Sequence, residues 1–533
     1  MAHRGRWGAT LIAVVLAGCT SSPATPGGAA RSTTTERSSA ASVPPERERI
    51  DASVVELPDT VHGARFPWWS ADGSRLLFSA TPAGGERVEV MSVRPDGTDL
   101  SCLTCGIAAE VAEPLLKPIP FRDGERVIVR VGNQSPVAAA DHAILECAPS
   151  VSRCDDAQLV PFEPPAADDP AVVQDQRELR PAPDNEHIGF SQVRRSAAGD
   201  AAIVATVGRL RRTPDAYVVD DARAVSTRGE LKSFTPDGRA VLVAMFTPGP
   251  YETANPDVVS IDLATGEESR VTTAPDYDEP LEMAPDGRSY VVGSGRGSGL
   301  FETVSQVRRP SLLGTALDPL TAYLFAHHRP ELLETWLVPA DAERRGELGR
   351  RLATPDDGYD GRAIANWRPD GTAITWWEGT GDGFDADPAA TRLVIAELVD
   401  RSPSPAPASS DVADPAWAPP LDGLVPPATT PPRSRDGDDQ GTVAVEVTPL
   451  ADGEAVQVTY QSFSDDGEWI IDGVERAEHR GDRTTYTASL TLSGDHDGEL
   501  RADAVITTGA IDGSITSTVD GRRLSLPRAE GGG

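Results

Sequence analysis

One short phrase, repeated along the chain, limits what it can fold into: an apolar residue, a brief link, an Asp-Gly turn, then an apolar strand. It reads Trp69-Ser70-Ala71-Asp72-Gly73, Phe234-Thr235-Pro236-Asp237-Gly238, Met283-Ala284-Pro285-Asp286-Gly287 and Trp367-Arg368-Pro369-Asp370-Gly371, with looser copies at Phe121-Arg122-Asp123-Gly124 and Ala182-Pro183-Asp184-Asn185. The residue types have mechanical uses: Pro presets φ, Asp bonds back to nearby backbone, and Gly or Asn takes the left-handed position that closes a hairpin. Four and six residues after each Asp stands an apolar pair: Leu76/Phe78, Val127/Val129, Ile188/Phe190, Val241/Val243, Tyr290/Val292 and Ile374/Trp376. That is strand alternation at a fixed offset from a turn.

The steps between successive Asp residues are 51, 61, 53, 49 and 84. Most lie near the roughly 40 to 50 residues of a four-stranded propeller blade. A second strand is expected in each unit, at 88–93, 143–145, 217–219, 258–263, 335–338 and 393–398, and Pro95-Asp96-Gly97 reads as a turn between outer strands of the first blade. The fold expected is all-β, a six-bladed propeller followed by a small antiparallel β domain. A seven-bladed ring is the alternative, because the 84-residue step holds either an insertion or a degraded blade. Ser191-Gln192-Val193-Arg194-Arg195 is moreover echoed at Ser305-Gln306-Val307-Arg308-Arg309. The isolated strand at 53–57 is expected to complete the final blade, since a ring left open exposes two sheet edges.

Around this ring the chain divides by composition. Residues 1–19 read as an export signal, with Arg4 and Arg6, an apolar run too short to span as a mature helix, and Leu16-Ala17-Gly18-Cys19. That ending resembles the lipobox of bacterial lipoproteins, which implies acylation of Cys19, anchorage to the membrane and an extracytoplasmic location. Residues 20–48 read as a disordered tether, 49–400 as the propeller, 401–440 with its ten prolines as a linker, 441–527 as a β-sandwich or half-barrel and 528–533 as a disordered tail. In an oxidising compartment the remaining cysteines are expected to pair locally, Cys102 with Cys105 and Cys147 with Cys154. Zinc or redox use of the C-x-x-C lacks the further ligands or βαβ context it needs, and the histidines show no metal spacing, so no metal is expected. Asp495-His496-Asp497-Gly498 lacks the ligands of a calcium loop and reads as a hairpin turn.

A formal charge of -33 excludes nucleic acid as a partner class, because phosphates would be repelled. The Arg groups at 194/195, 209/211/212 and 308/309 read as solvated strand edges. No Gly-x-Ser-x-Gly elbow, Walker loop or dinucleotide loop occurs, so no cofactor is expected. What remains is the central channel. Residues six to eight before each turn Asp should enter the innermost strand at its far rim: Arg65, Lys117, Glu178, Glu230, Glu279 and the pair Arg362/Ala363. Glu178, Glu230 and Glu279 are the candidate catalytic carboxylates, for acid and nucleophile or base work. Arg65, Lys117, Arg362 and Arg180 are candidate grips for a negatively charged group. Asp276 and Asp278, just upstream of Glu279, are further binding candidates whose charge would raise the pKa of one acid. A salt-bridged rim with no chemistry is the structural alternative.

The repeats resemble the TolB-type propeller repeat. More specifically, Cys102-Leu103-Thr104-Cys105-Gly106, Phe121 to Val127, Arg177-Glu178-Leu179-Arg180 with Pro183 to Phe190, Gly229-Glu230-Leu231-Lys232, and Asp257 to Gly266 running on to Asp276-Tyr277-Asp278-Glu279-Pro280 are, in this order, similar to fungal saponin hydrolases. The resemblance implies a secreted glycoside hydrolase that acts on glucuronides such as saponins, and assigns no catalytic residue. The competing expectation is a non-catalytic, lipid-anchored propeller that binds a protein or glycan partner in the cell envelope.

Overall fold

The computed structural model describes residues 48–107, 113–132, 141–165, 168–199, 201–246, 256–343, 347–352, 358–380, 390–407, 412–428 and 433–527. The export signal with Cys19, the tether as far as residue 47 and the tail from 528 lie outside the described residues.

All six turns form alike. In each, the Asp Oδ1 accepts from the backbone N–H two residues on, at 3.0 Å for Asp72, 2.8 Å for Asp123, 3.0 Å for Asp184, 3.2 Å for Asp237 and 3.0 Å for Asp286 and Asp370. The residue after each Asp, Gly73, Gly124, Asn185, Gly238, Gly287 or Gly371, has φ between 64° and 76°. The apolar pairs beyond the turns are no more than 1% exposed and form the cores between neighbouring sheets.

Each turn joins the first two strands of a four-stranded antiparallel meander. The first strands are His62–Trp69, Leu115–Pro120, Val172–Pro181, Gly229–Phe234, Asp278–Met283 and Asp360–Trp367. Each touches the next, and the last touches the first, so these strands surround one axis as in a β-propeller. The second and third meanders fuse into one eight-stranded sheet through a short parallel pairing, Tyr217 with Phe162 and Val218 with Glu163. In the last meander the outermost strand is Ile50–Val54, running antiparallel to Thr391–Leu398 from Ile50 opposite Leu398 to Val54 opposite Val394. The closing strand thus begins three residues earlier than the alternation of 53–57 indicates.

One expectation needs correction, and two that left alternatives open are narrowed. In the third meander the strand after the turn hairpin is Ala201–Arg212, and 217–219 belongs to the outermost strand, Tyr217–Ser226. The long step between turns holds three short helices, α1 (Glu302–Ser305), α2 (Asp318–His327) and α3 (Arg329–Leu332). The echo at 305–309 therefore lies beside a helix, whereas 191–195 lies in the strand His187–Arg195. Of the sandwich and half-barrel expected for the C-terminal unit, the barrel-like form is the one found. Its eight strands, from Arg435–Asp436 to Arg522–Leu526, form one antiparallel meander in sequence order, nearly closed and barrel-like. It needs no second sheet because Phe301, Val304, Val307, Leu317 and Leu320 of the helical insertion share its core with Val458, Tyr460, Tyr486, Leu490 and Ile515.

The proline-rich stretch from 401 is a strap across the propeller. Ser404 N–H donates to Asp370 O at 2.8 Å, Trp417 Nε1 to Leu263 O at 2.9 Å and Leu421 N–H to Ala222 O at 2.8 Å. The Trp417 ring covers Gly266, where a Cβ would lie 2.9 Å from it, so only glycine allows the approach. Both expected disulfides, Cys102–Cys105 and Cys147–Cys154, are formed, as in an oxidising environment. Among the described residues no helix is long and apolar enough to cross a membrane.

Candidate functional site

The channel is lined by first strands that do not run straight. Phe66, Lys117, Glu178 and Ile364 have φ of 56°, 51°, 54° and 87°, and each stands six residues before its turn Asp. The pairing register slips at each of these places. A non-glycine residue held at positive φ costs about 1 to 2 kcal/mol, and bulges of this kind re-aim side chains. Here Lys117 and Glu178 are aimed at one another, with Lys117 Nζ 3.3 Å from Glu178 Oε1.

The three candidate carboxylates lie in one buried cluster. Glu178 also accepts from Arg180 Nη2 at 2.7 Å. Glu230 is paired with Arg177 and, at 2.7 Å, with Lys232 Nζ. Lys232 reaches Glu279 on its other side, and the Tyr277 hydroxyl donates to the second oxygen of Glu279. Lys232 is 2% exposed, so its ammonium stands between two carboxylates out of bulk water. Burial lowers its pKa, but Glu230, Glu279 and Glu178 together raise it further, and the charge is kept. Burial also works against ionisation of Glu178 and Glu279. Lys117, Arg180, Lys232 and Arg177 hold Glu178 well below the usual range, and Lys232 with the Tyr277 hydroxyl holds Glu279 below it.

Beside Glu178 opens a recess lined by Lys117, Arg130, Arg177 and Arg180 together with His142 and Gln174. Four cations face one carboxylate there. Burial pushes Lys117 down to about 8 in spite of Glu178, with Arg130, Arg180 and Lys232 adding to the depression. Burial pushes Arg130 down to about 10, Glu178 opposing and Arg65 adding. Both depressions come first from burial, and an anion entering the recess would offset that cost by pairing with Lys117 and Arg130.

One further carboxylate completes the arrangement. Glu282 lies 4.0 Å from Arg180 Nε, with 21% of its side chain exposed. Burial pushes it up to about 7 against the pull of Arg180, Ser233 and Arg122, and the neighbouring charge of Glu178 pushes the same way. Two neighbouring acids with one cation between them are thus driven apart in protonation, the arrangement that divides acid from base work.

Of the other candidates, Lys117 and Arg180 belong to the cluster. Arg65 lies beside it, its guanidinium carbon 5.7 Å from the Phe66 ring centre. Arg362 is buried and directs Nη2 to Gly379 O at 3.3 Å, within its own sheet. Asp276 and Asp278 are not in the cluster. Asp276 accepts from Tyr277 N–H at 2.9 Å and Ser298 Oγ at 3.1 Å, and Asp278 is gripped by Arg296 Nη2 at 2.8 and 2.9 Å with both side chains fully buried. Asp276 lies before the strand, and Asp278 as a successive strand residue faces the other way, so the Glu279 pKa falls under Lys232 and Tyr277 instead of rising. The residues that sequence reasoning missed are Lys232, Arg177, Arg130, Tyr277 and Glu282. Lys232 and Glu282 stand five and four residues before their turn Asp, a shift that the register slips of these strands produce. Among the described residues no group of three or more His, Cys, Asp or Glu is placed to hold a metal ion.

No protein-family model matches the chain, and no curated protein does. Solved structures with a similar course of chain include TolB from Acinetobacter baumannii, with 11% identity over 64% of this chain and 65% of that one and a TM-score of 0.33. An oligogalacturonate lyase from Vibrio parahaemolyticus has 9% identity over 66% and 96% and a TM-score of 0.36. Prolyl oligopeptidase B from Galerina marginata has 11% identity over 76% and 48% and a TM-score of 0.29. Likenesses of this size transfer no activity.

Proposed function

We propose that the chain is an exported, lipid-anchored glycoside hydrolase on a six-bladed ring, and that its channel cleaves glucuronide-type glycosides, as the saponin hydrolases it resembles do. The observation that carries this reading is Arg180 standing between Glu178, held ionised, and Glu282, held near neutrality. Glu282 is the general acid and Glu178 its ionised partner. The recess of Lys117, Arg130, Arg177 and Arg180 takes the uronate carboxylate. With water as co-reactant, the glycosidic C–O bond breaks as the Glu282 proton passes to the leaving oxygen. Glu178 stabilises the positive charge growing at the anomeric carbon. The hydroxyl of water then completes the sugar, and its proton restores Glu282.

The test is Glu282→Gln assayed on aryl glucuronides of graded leaving-group acidity. Losing a general acid costs about 10²- to 10⁴-fold for a poor leaving group and far less for one that departs unprotonated. Glu178→Gln should lose activity on all of them. Equal losses across the Glu282→Gln series would remove the acid assignment. The ion pairs that hold all three original carboxylates favour a second reading, recognition without turnover. Stoichiometric capture of a protein or glycan from the cell envelope, with no hydrolysis of any glucuronide by the wild type, would establish it.

A further inference from the structure

The helical insertion has no means of holding its own shape. Its helices are four, ten and four residues long, below the length at which an isolated helix persists in water. Its order comes from the C-terminal sheet. Arg309, fully buried, donates from Nε and Nη2 to the two oxygens of Glu475, each at 2.9 Å, and from Nη1 to Val304 O at 2.7 Å. Tyr460 and Tyr486 donate to the same carboxylate at 2.8 and 3.0 Å, so no lone pair is wasted on an apolar neighbour. Ser517 Oγ donates to Thr303 O at 2.6 Å, and Thr484 Oγ1 donates to Ala316 O at 2.6 Å.

The other side of the insertion meets the channel. Phe301 stacks on Tyr277 with ring centres 6.0 Å apart, and Phe325 of α2 meets the same ring edge-on at 4.8 Å. Tyr277 is 8% exposed, and its hydroxyl is the one that donates to Glu279. An unbroken series of contacts therefore runs from Glu475 through Arg309 and α1 to Tyr277 and the Glu279–Lys232 pair.

We infer that the C-terminal sheet is part of the site: by moulding the insertion it fixes Tyr277, a positioning residue that orients Glu279 at the channel. This rests on the proposed hydrolase reading only for its kinetic arm. The full chain carrying Arg309→Met with Glu475→Leu, which leaves no unpaired charge, is compared with the wild type by hydrogen–deuterium exchange. Ser517→Ala serves as a gentler variant that removes only the bonds to the insertion. Peptides spanning 276–283 should exchange about fivefold faster or more in both variants, while those spanning 240–245 in the neighbouring sheet stay unchanged. Unchanged exchange at 276–283 overturns the inference whether or not the protein hydrolyses anything.

In the kinetic arm, which takes Glu279 to contact the bound glycoside, Tyr277→Phe should raise KM for an aryl glucuronide about tenfold, with kcat within about threefold. Adding Arg309→Met and Glu475→Leu to Tyr277→Phe should raise KM no further, because both act through the same hydroxyl. Independent, multiplying effects would overturn the coupling. Exchange that responds as expected in a protein with no turnover would retain the inference and remove only the hydrolase reading.

Discussion

Arg180 donates to Glu178 across 2.7 Å while its Nε stands 4.0 Å from Glu282. The guanidinium is committed to one carboxylate and merely near the other. Burial, which disfavours charge on both, therefore prevails at Glu282 and is overcome at Glu178.

The pH dependence of turnover follows from that division. A general acid works only while protonated, so kcat should fall about tenfold per pH unit as pH rises through about 7, the value to which Glu282 is raised. The acidic limb, set by Glu178, should lie well below the usual carboxylate range. Glu282→Gln should abolish the alkaline limb. A wild-type rate that stays level to pH 9 would show that Glu282 is not the acid.

Lys232 holds two carboxylates together away from water. Lys232→Met strips Glu279 of its cation and leaves Glu230 to Arg177 alone, and should destabilise the fold by about 3 kcal/mol, read as a lower urea midpoint at unchanged slope. Adding Glu279→Gln should recover much of that loss, since Glu230 keeps Arg177 and the double variant buries no unpaired carboxylate. If the double variant is less stable than Lys232→Met alone, the cluster's stability comes from something other than charge pairing.

The strap should loosen as pH rises. His187 Nδ1 lies 2.5 Å from Asp184 and its Nε2 2.9 Å from Asp414 on the strap, so both nitrogens have a carboxylate partner only as the imidazolium. Burial lowers the His187 pKa, but the bonds to the two aspartates outweigh it and the value is raised above 6.5. Stability from this clasp is complete below the unfolded value near 6.5 and is lost as pH climbs through the higher folded value. Thermal melts from pH 5.5 to 8.5 should show a fall of about 1 kcal/mol in the wild type that His187→Asn lacks, the modest size reflecting a half-exposed Asp414. Parallel curves for the two proteins would contradict the clasp.

The ring was legible in the sequence because its signal is local and repeated. An Asp-Gly turn needs only four residues to be recognised, and the apolar pairs after it fix the core face. The closing strand was legible by a different route, from the two open edges that a ring cannot leave. The channel was half legible. Counting back from the turns reached Lys117, Glu178, Glu230 and Glu279, but it assumed straight alternation, and the kinks at Lys117 and Glu178 break it. Lys232 and Glu282 were hidden by the register slips of their own strands. Tyr277 carried no signal at all, since its role depends on Phe301 and Phe325. The insertion's place was unreadable for the same reason: its partner face lies in the C-terminal sheet, and only the pairing of Arg309 with Glu475 discloses it.

The pairing of Ile50–Val54 with Thr391–Leu398 sets an order of events during biosynthesis. The first propeller strand to leave the ribosome must wait for almost the last before it has anywhere to go, and the helices that flank the channel wait longer still for the sheet that shapes them. Until then the nascent chain carries bare sheet edges that could pair with other chains, a hazard that ends only when the wheel closes.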